Sequence, residues 1–545
     1  MDRLTRREML KVTGAAALVG CGTAEPVDAP DGLEEDAAPD ETFDASDLKF
    51  PEDVEVPTVD AGGPVDVGAP VDAGAPMDAG APMDAGVPMD VGRDAGRDVP
   101  VAVDVRRDVP VVRDVGRDTG PPLRDAEFQD LPERPAQFPL GVMAGDAADT
   151  SLIFWTKYEG TAPLVLRVLE MDGGRIAALR FDGRVTPSGA GVVRVVVTGL
   201  RPNRLHRYAF LVAPSGTPNG RSLIGRARTA IADDSREPIV FAGTACTNQN
   251  HRPFPALVHA GSRTDLDFFI HAGDHVYTDH GSPSESIGEY RAKYAANWTS
   301  AGLRSLHRST GMYLTWDDHE VRNNWDPESF PPARIAAARQ AFFEHRATRR
   351  NPSAPDRIWR SFRWGRTAEV FILDCRSERR PSTRSNTPSR DSVYISRAQM
   401  DWLKSGLRTS PAAFKFIVNS VPIYERPGGV GSDNWIGYPS QRREILNHIA
   451  NNNLRGVVWL SGDSHVGGVV RVDPSSTDAW EVLMGPGGAD RRELPDVNRD
   501  RWPVYVGDRH NYTVFRADPS DRTLTVEYID GSGSRIPGSL WSRRV

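Results

Sequence analysis

Cysteine is scarce in this sequence, and long hydrophobic runs are missing from it. Its 545 residues include only 3 cysteines, and Cys21, Cys246 and Cys375 stand far apart in unlike surroundings. This excludes a disulfide framework of the kind that stabilises small secreted domains. No run reaches the roughly 18 apolar residues of a membrane-spanning helix, so we predict no such helix.

Charge is distributed unevenly along the chain. The formal net charge is −8, but residues 22–134 carry 29 acidic and 9 basic side chains, whereas residues 135–545 carry 43 acidic and 53 basic ones. The acidity therefore belongs to a segment with few large apolar residues. The part that can fold is basic, and it is long enough for two domains.

Residues 1–21 have the features of an export signal. Arg6 and Arg7 form a twin-arginine pair, an apolar run follows, and Leu18-Val19-Gly20-Cys21 resembles a bacterial lipobox, whose cysteine is acylated after cleavage. An amphipathic helix with an incidental arginine pair is the alternative. The order of the features predicts a twin-arginine lipoprotein signal peptide, lipidation at Cys21 and a location at the cell envelope, in the periplasm or on the outer membrane.

Residues 22–134 contain hexads such as VDVGAP, VDAGAP and MDAGAP, with proline at every sixth position. Proline removes backbone donors, and almost no large apolar side chain is available for burial. A β-helix of hexapeptide turns and a series of calcium sites are alternatives, but each repeat offers one carboxylate where calcium takes six to eight oxygens. We predict a disordered Asp/Pro/Gly/Val-rich linker that holds the folded part away from the membrane.

The folded part divides into two predicted domains. Residues 135–232 contain short alternating strands and resemble a fibronectin-like β-sandwich, with no residues that suggest chemistry. Residues 233–545 alternate apolar strands with helical stretches, which predicts a layered α/β domain. The strands predicted in the first domain are residues 152–155, 164–168, 192–198 and 206–212.

Polar residues suited to metal binding follow four predicted strands of the second domain. These strands are residues 239–243, 266–270, 312–316 and 456–460. The segments after them are TAC ending at Cys246, HAGDHVY from His271, DDHEVRNNW from Asp317 and SGDSH from Ser461. Because the carboxyl ends of parallel strands meet at one edge of a sheet, we expect the four segments to converge there.

GDHVY, WDDHEVRNNW and GDSH, with a lone cysteine after the first strand, resemble the PhoD-type alkaline phosphatases and phosphodiesterases of the metallophosphoesterase fold. The resemblance covers nearly all of residues 138–545 and includes Leu373-Asp374-x-Arg376 and Asp433-x-Trp435-x-Gly437-Tyr438. It implies a layered metallophosphoesterase-type β-sandwich flanked by helices, preceded by the all-β domain. The implied activity is metal-dependent hydrolysis of phosphate esters.

The donor types in these motifs, together with the resemblance, imply one Fe³⁺ and two Ca²⁺. Thiolate, phenolate, carboxylate and imidazole groups suit trivalent iron, and oxygen groups suit calcium. Asp274 belongs to both sets, because the family uses this carboxylate as a bridge. The implied iron ligands are Cys246, Asp274, Tyr277 and His465, and the implied calcium ligands are Asp274, Asp318, Asn324 and Asp463.

The resemblance also implies roles for residues beside the ligands. His319 and Asp274 are the implied catalytic residues, and His319 would stabilise or protonate the leaving oxygen. Arg322 and Asn323, or residues 435–442, are expected to position the substrate. Asp317 is an alternative to Asp318 as ligand, and either could instead cap a helix.

Some of these residues have structural alternatives. Cys246 and Tyr277 would be core residues in another context, and Cys375 is expected to be a core thiol. Asn419 follows a strand and is left unassigned. The residues that we expect to pack or to face the substrate, rather than to bind metal, are His271, His275 and His280.

We therefore expect an exported, lipid-anchored hydrolase of phosphate monoesters, diesters or both, which uses water activated by metal ions. Phospholipase D-like activity on membrane lipids and non-catalytic binding of envelope polymers are the alternatives. The expected partners are a phosphate-ester substrate and the membrane that holds the anchor. We predict a monomer without a nucleic-acid-binding module.

Overall fold

The computed structural model describes residues 128–545 apart from residues 386, 388–391, 426–432, 474–478 and 495–496. The predicted signal peptide, its Cys21 and the linker up to residue 127 lie outside the described residues. The end of the predicted linker needs correction, because residues 128–134 pack on the folded part: Phe128 is buried, and the backbone N–H of Arg134 donates to the carbonyl of Arg221 at 2.9 Å. In the described part of the chain, no helix is both long enough and apolar enough to cross a membrane.

More of the described residues lie in strands than in helices. In chain order they are β1 Val142–Gly145, β2 Ser151–Lys157, β3 Leu164–Asp172, β4 Arg175–Val185, β5 Val192–Thr198, β6 Leu205–Val212, β7 Gly220–Arg221, β8 Gly225–Arg228, β9 Ile239–Thr244, β10 Phe268–His271, β11 Gly311–Leu314, β12 Arg360–Trp364, β13 Ala368–Ile372, β14 Phe414–Asn419, β15 Val457–Ser461, β16 Gly467–Arg471, β17 Trp480–Leu483, β18 Val504–Val506, β19 Asn511–Asp518, β20 Thr523–Asp530 and β21 Trp541–Arg544.

The α-helices lie between the strands of the second half. They are α1 Pro255–Ser262, α2 Ile287–Trp298, α3 Ala301–Ser309, α4 Pro332–Glu344, α5 Arg397–Thr409 and α6 Pro439–Asn451. Their first residues follow local rules. Proline stands at the start of α1, α4 and α6, where no backbone donor is needed. Ser286 and Glu289 form a capping box at α2, and Ser396 caps α5.

The largest sheet has nine strands in the order β21-β20-β19-β9-β10-β11-β1-β2-β5. Its central strands β9, β10 and β11 are parallel and in register, with His271 opposite Thr244 and Leu314. A second sheet has seven strands in the order β12-β13-β14-β15-β17-β16-β18, and β13, β14, β15 and β17 are parallel. Both parallel blocks consist of nearly continuous buried apolar residues, as strands covered on both faces require.

The two sheets pack face to face through aromatic side chains. Phe241 of the large sheet stacks on Phe268 and Phe515, with ring centroids 4.7 and 4.5 Å apart. The same ring meets Phe416 of the second sheet edge-on at 4.9 Å. Helices α1 to α4 cover the outer face of the large sheet, and α5 and α6 cover that of the second. This layered arrangement confirms the predicted fold class.

The amino-terminal strands belong to two different sheets. β4, β3, β6 and β7 form a separate sheet with β8 paired to β6, whereas β1, β2 and β5 extend the large sheet through parallel pairing of β1 with β11. All four residues of β1 are buried, and pairing with β2 on one side and β11 on the other provides partners for its backbone groups. The predicted boundary between residues 232 and 233 stays a prediction, and the large sheet contains strands from both sides of it.

One expectation about the strands needs correction. β9, β10 and β11 lie in the large sheet, but β15 lies in the second sheet. The four polar segments therefore do not meet along one edge of one sheet. They meet where the carboxyl ends of the parallel strands of both sheets come together, because the two sheets are packed on each other.

Candidate active site

The seven predicted ligands lie close together, in loops that follow strands of the two sheets. Cys246 follows β9, Asp274 and Tyr277 follow β10, and Asp318 and Asn324 follow β11. The second sheet contributes two more ligands after β15, Asp463 and His465. The contacts described below join all seven into one connected cluster.

The backbone at this place is unusual. Five of the predicted ligands have a backbone φ between 55° and 58°, in the left-handed region that residues other than glycine rarely adopt. They are Cys246, Asp274, Asn324, Asp463 and His465. Strained backbone persists only where the surrounding structure enforces it, and it concentrates at functional sites. Five of the seven predicted ligands share this feature, which supports a functional role for the cluster.

One group of donors surrounds the Oδ2 oxygen of Asp274. The Sγ atom of Cys246 lies 3.5 Å and the hydroxyl of Tyr277 3.3 Å from this oxygen. His465 Nδ1 donates to the backbone carbonyl of Asp490 at 2.6 Å, which leaves Nε2, 3.0 Å from the Tyr277 hydroxyl, free to act as a ligand. The ligand atoms of Cys246, Asp274 and His465 lie within 4.8 Å of one another, as binding of one ion requires.

A second group of donors lies on the other side of Asp274. The Oδ1 oxygen of Asp274 accepts a hydrogen bond from the backbone N–H of His319 at 3.2 Å. The same N–H donates to Oδ1 of Asp318 at 2.9 Å. Ligand atoms of Asp274, Asp318 and His319 come within 4.8 Å of one another, and so do those of Asp317, Asp318 and Asp463. The two oxygens of Asp274 thus face two neighbouring groups, as a bridging carboxylate would.

Asn324 joins the second group. Its backbone N–H donates to Oδ2 of Asp318 at 2.7 Å. With the nitrogen of its amide turned towards the carboxylates, it donates to Asp318 Oδ2 at 3.0 Å and to Asp433 Oδ2 at 2.7 Å. With the amide turned the other way, three oxygens would meet, an arrangement that a cation stabilises. Asp433 was not among the predicted ligands, although it stood in one of the family-like motifs.

Burial opposes charge on the acidic donors. It raises the pKa of the Cys246 thiol, the Tyr277 hydroxyl and the Asp274 carboxyl well above their usual values, and neighbouring carboxylates add to the effect. Burial also lowers the pKa of His465 to about 4, so this ring is neutral at pH 7. Buried acidic groups that converge on one point, beside a neutral imidazole, fit a multivalent cation, which would stabilise their anionic forms.

The carboxylates of the second group have different pKa values. Burial raises the pKa of Asp463 well above its usual value and that of Asp317 to about 6. Burial would also raise the pKa of Asp318, but the positive charges of Arg376 and His319 lower it below its usual range. Oδ2 of Asp317 is buried and has no hydrogen-bond partner among the described residues. Several oxygens at one point again fit a hard cation.

His319 has a partner, Asp279, that was not among the predicted site residues. Its Nδ1 lies 2.7 Å from Oδ1 of Asp279, and the other oxygen of Asp279 accepts the backbone N–H of Asn323 at 2.7 Å. The His319 ring also stacks on Tyr277, with centroids 4.0 Å apart. Burial lowers the pKa of His319, but Asp318 and Asp274 outweigh burial and raise it to about 10. Asp279 lies two residues after Tyr277, and this closeness to a predicted ligand was the only indication in the sequence that Asp279 belongs to the site.

The proposed substrate residues are at the surface of the same segment. Arg322 and Asn323 are both exposed, four and five residues after Asp318. Among the described residues, the Arg322 guanidinium has no hydrogen-bond or ion-pair partner, so it is available to an anion. Asn323 contributes its backbone N–H to Asp279.

Other sequence candidates lie outside the donor groups. His271 contacts Thr247 at 3.1 Å, and His275 contacts His307 at 3.2 Å; all four are buried. His280 is close to Asp279 and His319 and contacts Asn248 at 2.8 Å. No α-helix begins at Asp317 or Asp318, since the next described helix, α4, starts at Pro332. Asn419 accepts hydrogen bonds from Cys375 and Trp435, at 3.0 and 2.9 Å.

A buried ion pair supports the loops that carry the donors. Glu320 accepts the backbone N–H groups of Asp274, His275 and Asp317 at 2.8–3.0 Å. Its carboxylate also pairs with Arg346 at 2.9 Å, and neither side chain is exposed. Glu320 thus connects the loop after β10 to the loop after β11, and this connection fixes the spacing of the predicted ligands on them.

The chain matches two models of one protein family. Residues 241–499 match the PhoD-like phosphatase model, and residues 125–231 match the model of the PhoD-like phosphatase amino-terminal domain. Together the two matches cover more than half of the chain. Both sheets contribute strands to the first match, and the loops that carry the seven donors lie within it.

Similar proteins agree with these matches. Alkaline phosphatase D of Bacillus subtilis (strain 168) is 27% identical over 430 residues, which are 66% of this chain and 71% of that protein. A solved structure of PhoD superposes with a TM-score of 0.64 at 24% identity and covers 76% of this chain and 90% of its own. Purple acid phosphatase PPD1 from yellow lupin seeds gives a TM-score of 0.54 at 11% identity and covers 74% of each chain, and this likeness concerns the fold.

Proposed function

Because the chain belongs to the PhoD-like phosphatase family, and is thus a phosphoesterase hydrolase, we propose that it hydrolyses phosphate monoesters, diesters or both at the cluster around Asp274. The observation that carries the proposal is the convergence of buried thiol, phenol, carboxyl and imidazole donors on that one carboxylate. A structural core does not collect such groups without pairing their charges.

We propose that Cys246, Asp274, Tyr277 and His465 hold Fe³⁺, because a set rich in anionic and sulfur donors suits a trivalent ion. Asp274, Asp318, Asn324 and Asp463 would hold Ca²⁺, two ions in all, because their donors are oxygens. When bound, such ions polarise phosphoryl oxygens and make water a better nucleophile.

The remaining residues of the site would bind the substrate, donate a proton to it or hold the residue that does so. The Arg322 guanidinium, exposed and without a partner in the described part of the chain, would pair with a phosphoryl oxygen of the substrate. Asp279 holds Nδ1 of His319, so that Nε2 is the ring nitrogen left to donate a proton to the leaving oxygen. Asn323 supports this arrangement, because its backbone N–H fixes Asp279.

We further propose that the enzyme is exported by the twin-arginine route and anchored through a lipid on Cys21. The support is the order of the arginine pair, the apolar run and the lipobox-like tetrad in residues 1–21. Twin-arginine export suits a protein that folds and takes up its metal ions before it crosses the membrane. The basic balance of residues 135–545 suits an anionic substrate.

Two buried cysteines allow a matched test of the site. Cys246 lies 3.5 Å from Asp274, whereas Cys375 donates to Asn419 at 3.0 Å. We expect Cys246→Ala and Asp274→Ala to lower hydrolysis of nitrophenyl phosphate and bis-nitrophenyl phosphate at least 100-fold, of the order found when a catalytic group is removed. Cys375→Ala should keep activity within about threefold of the parent protein. Full activity of the Cys246→Ala or Asp274→Ala protein would disprove the assignment.

A further inference from the structure

A single arginine lies inside the acidic part of the site. The Arg376 side chain has no exposed surface, and its three nitrogens point to carboxylates from different segments. Nε donates to Asp317 at 2.5 Å and Nη1 to Asp433 at 2.8 Å. Nη2 donates to Asp463 at 3.4 Å and lies 3.8 Å from Asp318. One guanidinium therefore contacts four carboxylates.

The position of Arg376 is fixed independently of these carboxylates. Its backbone N–H donates to Oδ1 of Asp374 at 3.1 Å, and the same oxygen accepts the indole N–H of Trp316 at 2.9 Å. Arg376 follows β13 of the second sheet, whereas Trp316 follows β11 of the large sheet. The guanidinium is thus held at the junction of the two sheets, where the donor segments meet.

The carboxylates differ in how firmly they are bound to Arg376. Asp317 also accepts a hydrogen bond from Ser420 at 2.9 Å, and its backbone N–H is held by Glu320 at 2.9 Å, so its contact with Arg376 is fixed on both sides. Asp463 is partly exposed and makes the longest of the three hydrogen bonds to the guanidinium. A cation that enters this cluster would therefore take Asp463 from the guanidinium more readily than Asp317.

We propose that Arg376 is a positioning residue that serves as the internal counter-cation of this cluster. It holds Asp317, Asp433 and Asp463 together when no divalent ion is bound, and its charge weakens the binding of calcium there. This inference rests on the metal-dependent hydrolase proposed above. Four carboxylates at one point repel each other, and one guanidinium offsets only part of that repulsion. The positive charge of Arg376 also repels an incoming divalent ion. This repulsion is strong because the site is buried, and buried charges are screened weakly.

Calcium binding to the full-length protein tests this role directly. The parent protein and Arg376→Gln would be depleted of metal with a chelator, titrated with calcium chloride by calorimetry, and melted with and without calcium. We expect Arg376→Gln to bind calcium at least tenfold more tightly than the parent. In chelator, Arg376→Gln should melt at a lower temperature than the parent. Calcium should raise the melting temperature of Arg376→Gln more than that of the parent.

Two further variants separate this role from general damage. Arg360 pairs with buried Asp146 at 2.8 Å in another part of the fold, so Arg360→Gln should lower the melting temperature but leave calcium affinity within threefold. The double variant Arg376→Gln/Asp317→Asn removes a carboxylate together with the cation, and it should return calcium affinity towards that of the parent. If Arg376→Gln is unfolded in chelator, calcium should refold it. Circular dichroism then gives the calcium concentration at which half of the protein is folded.

The proposal is overturned if folded Arg376→Gln binds calcium with the parent affinity or more weakly. It is also overturned if Arg360→Gln shows the same gain in affinity. A parent protein that binds calcium but hydrolyses no phosphate ester would contradict the proposed function and leave the role of Arg376 standing. A parent protein that binds no calcium would contradict both.

Discussion

At the scale of single residues, His319 and Asp279 have separable contributions to catalysis. His319→Ala should lower kcat by about 10²- to 10⁴-fold, the usual effect of removing a general acid. Asp279→Asn keeps the shape of the carboxylate that holds Nδ1 of His319 at 2.7 Å, so we expect a smaller loss, about tenfold. KM and melting temperature should change little in both. Steady-state kinetics on aryl phosphates measures these effects, and an unchanged kcat in His319→Ala would contradict the assigned role.

Residue types and their order in the chain predicted much of the site. Cys246, Asp274, Tyr277, Asp318 and His465 follow strand ends, and the structure brings them together as their motifs implied. Their roles as ligands stay predictions. Sequence order could not reveal the left-handed backbone that five of the seven donors share, because φ depends on the surrounding fold.

Three important side chains were not identified as part of the site from the sequence. Asp279 contacts His319, Asp433 contacts Asn324 and Arg376 contacts Asp463 only because segments that are distant along the chain are neighbours in space. Asp433 and Arg376 belong to motifs that resemble those of the family, but their residue types alone did not indicate which residues they contact. An arginine is not an expected metal ligand, and the place of Arg376 among the carboxylates is visible only from its distances to them.

At the scale of structural elements, the buried pair of Glu320 and Arg346 connects the loops after β10 and β11. Glu320→Gln removes the charge that faces Arg346 and weakens the acceptor for three backbone N–H groups. Breaking a buried pair from one side costs about 3–5 kcal/mol, so we expect a loss of unfolding free energy of this size.

Chemical denaturation measures this loss, and the chain offers a matched control. Glu159 pairs with Lys157 at 2.7 Å on the surface, where Glu159 is exposed and Lys157 is partly exposed. Glu159→Gln should cost at most about 1 kcal/mol, because exposed pairs contribute little. Equal effects of the two substitutions would contradict the expected contribution of the Glu320–Arg346 pair to stability.

Element types were easier to predict than sheet membership. The predicted strands at residues 152–155, 192–198, 239–243 and 456–460 correspond to β2, β5, β9 and β15. The sequence did not indicate that β15 belongs to a second sheet, or that β1 pairs with β11 some 170 residues later. Apolar periodicity reports which residues are buried, but strand pairing depends on contacts between distant segments.

At the scale of the whole molecule, charge separates the chain into parts with different expected tasks. The acidic segment from residue 22 to residue 127 would keep the basic folded part away from the membrane, and Cys21 would attach the chain to it. We expect Cys21→Ser, expressed in a bacterium with twin-arginine export, to appear in the soluble fraction with unchanged specific activity, whereas the parent chain sediments with membranes. Equal fractionation of the two proteins would contradict lipid anchoring.

The central claim is that hydrolysis depends on metal ions held by the cluster around Asp274. Elemental analysis of the purified protein, combined with hydrolysis before and after treatment with a calcium chelator, tests it most directly. We predict about one iron and two calcium ions per chain, loss of most activity in the chelator and recovery when calcium is added. Full hydrolytic activity in a preparation that contains neither iron nor calcium would contradict the account.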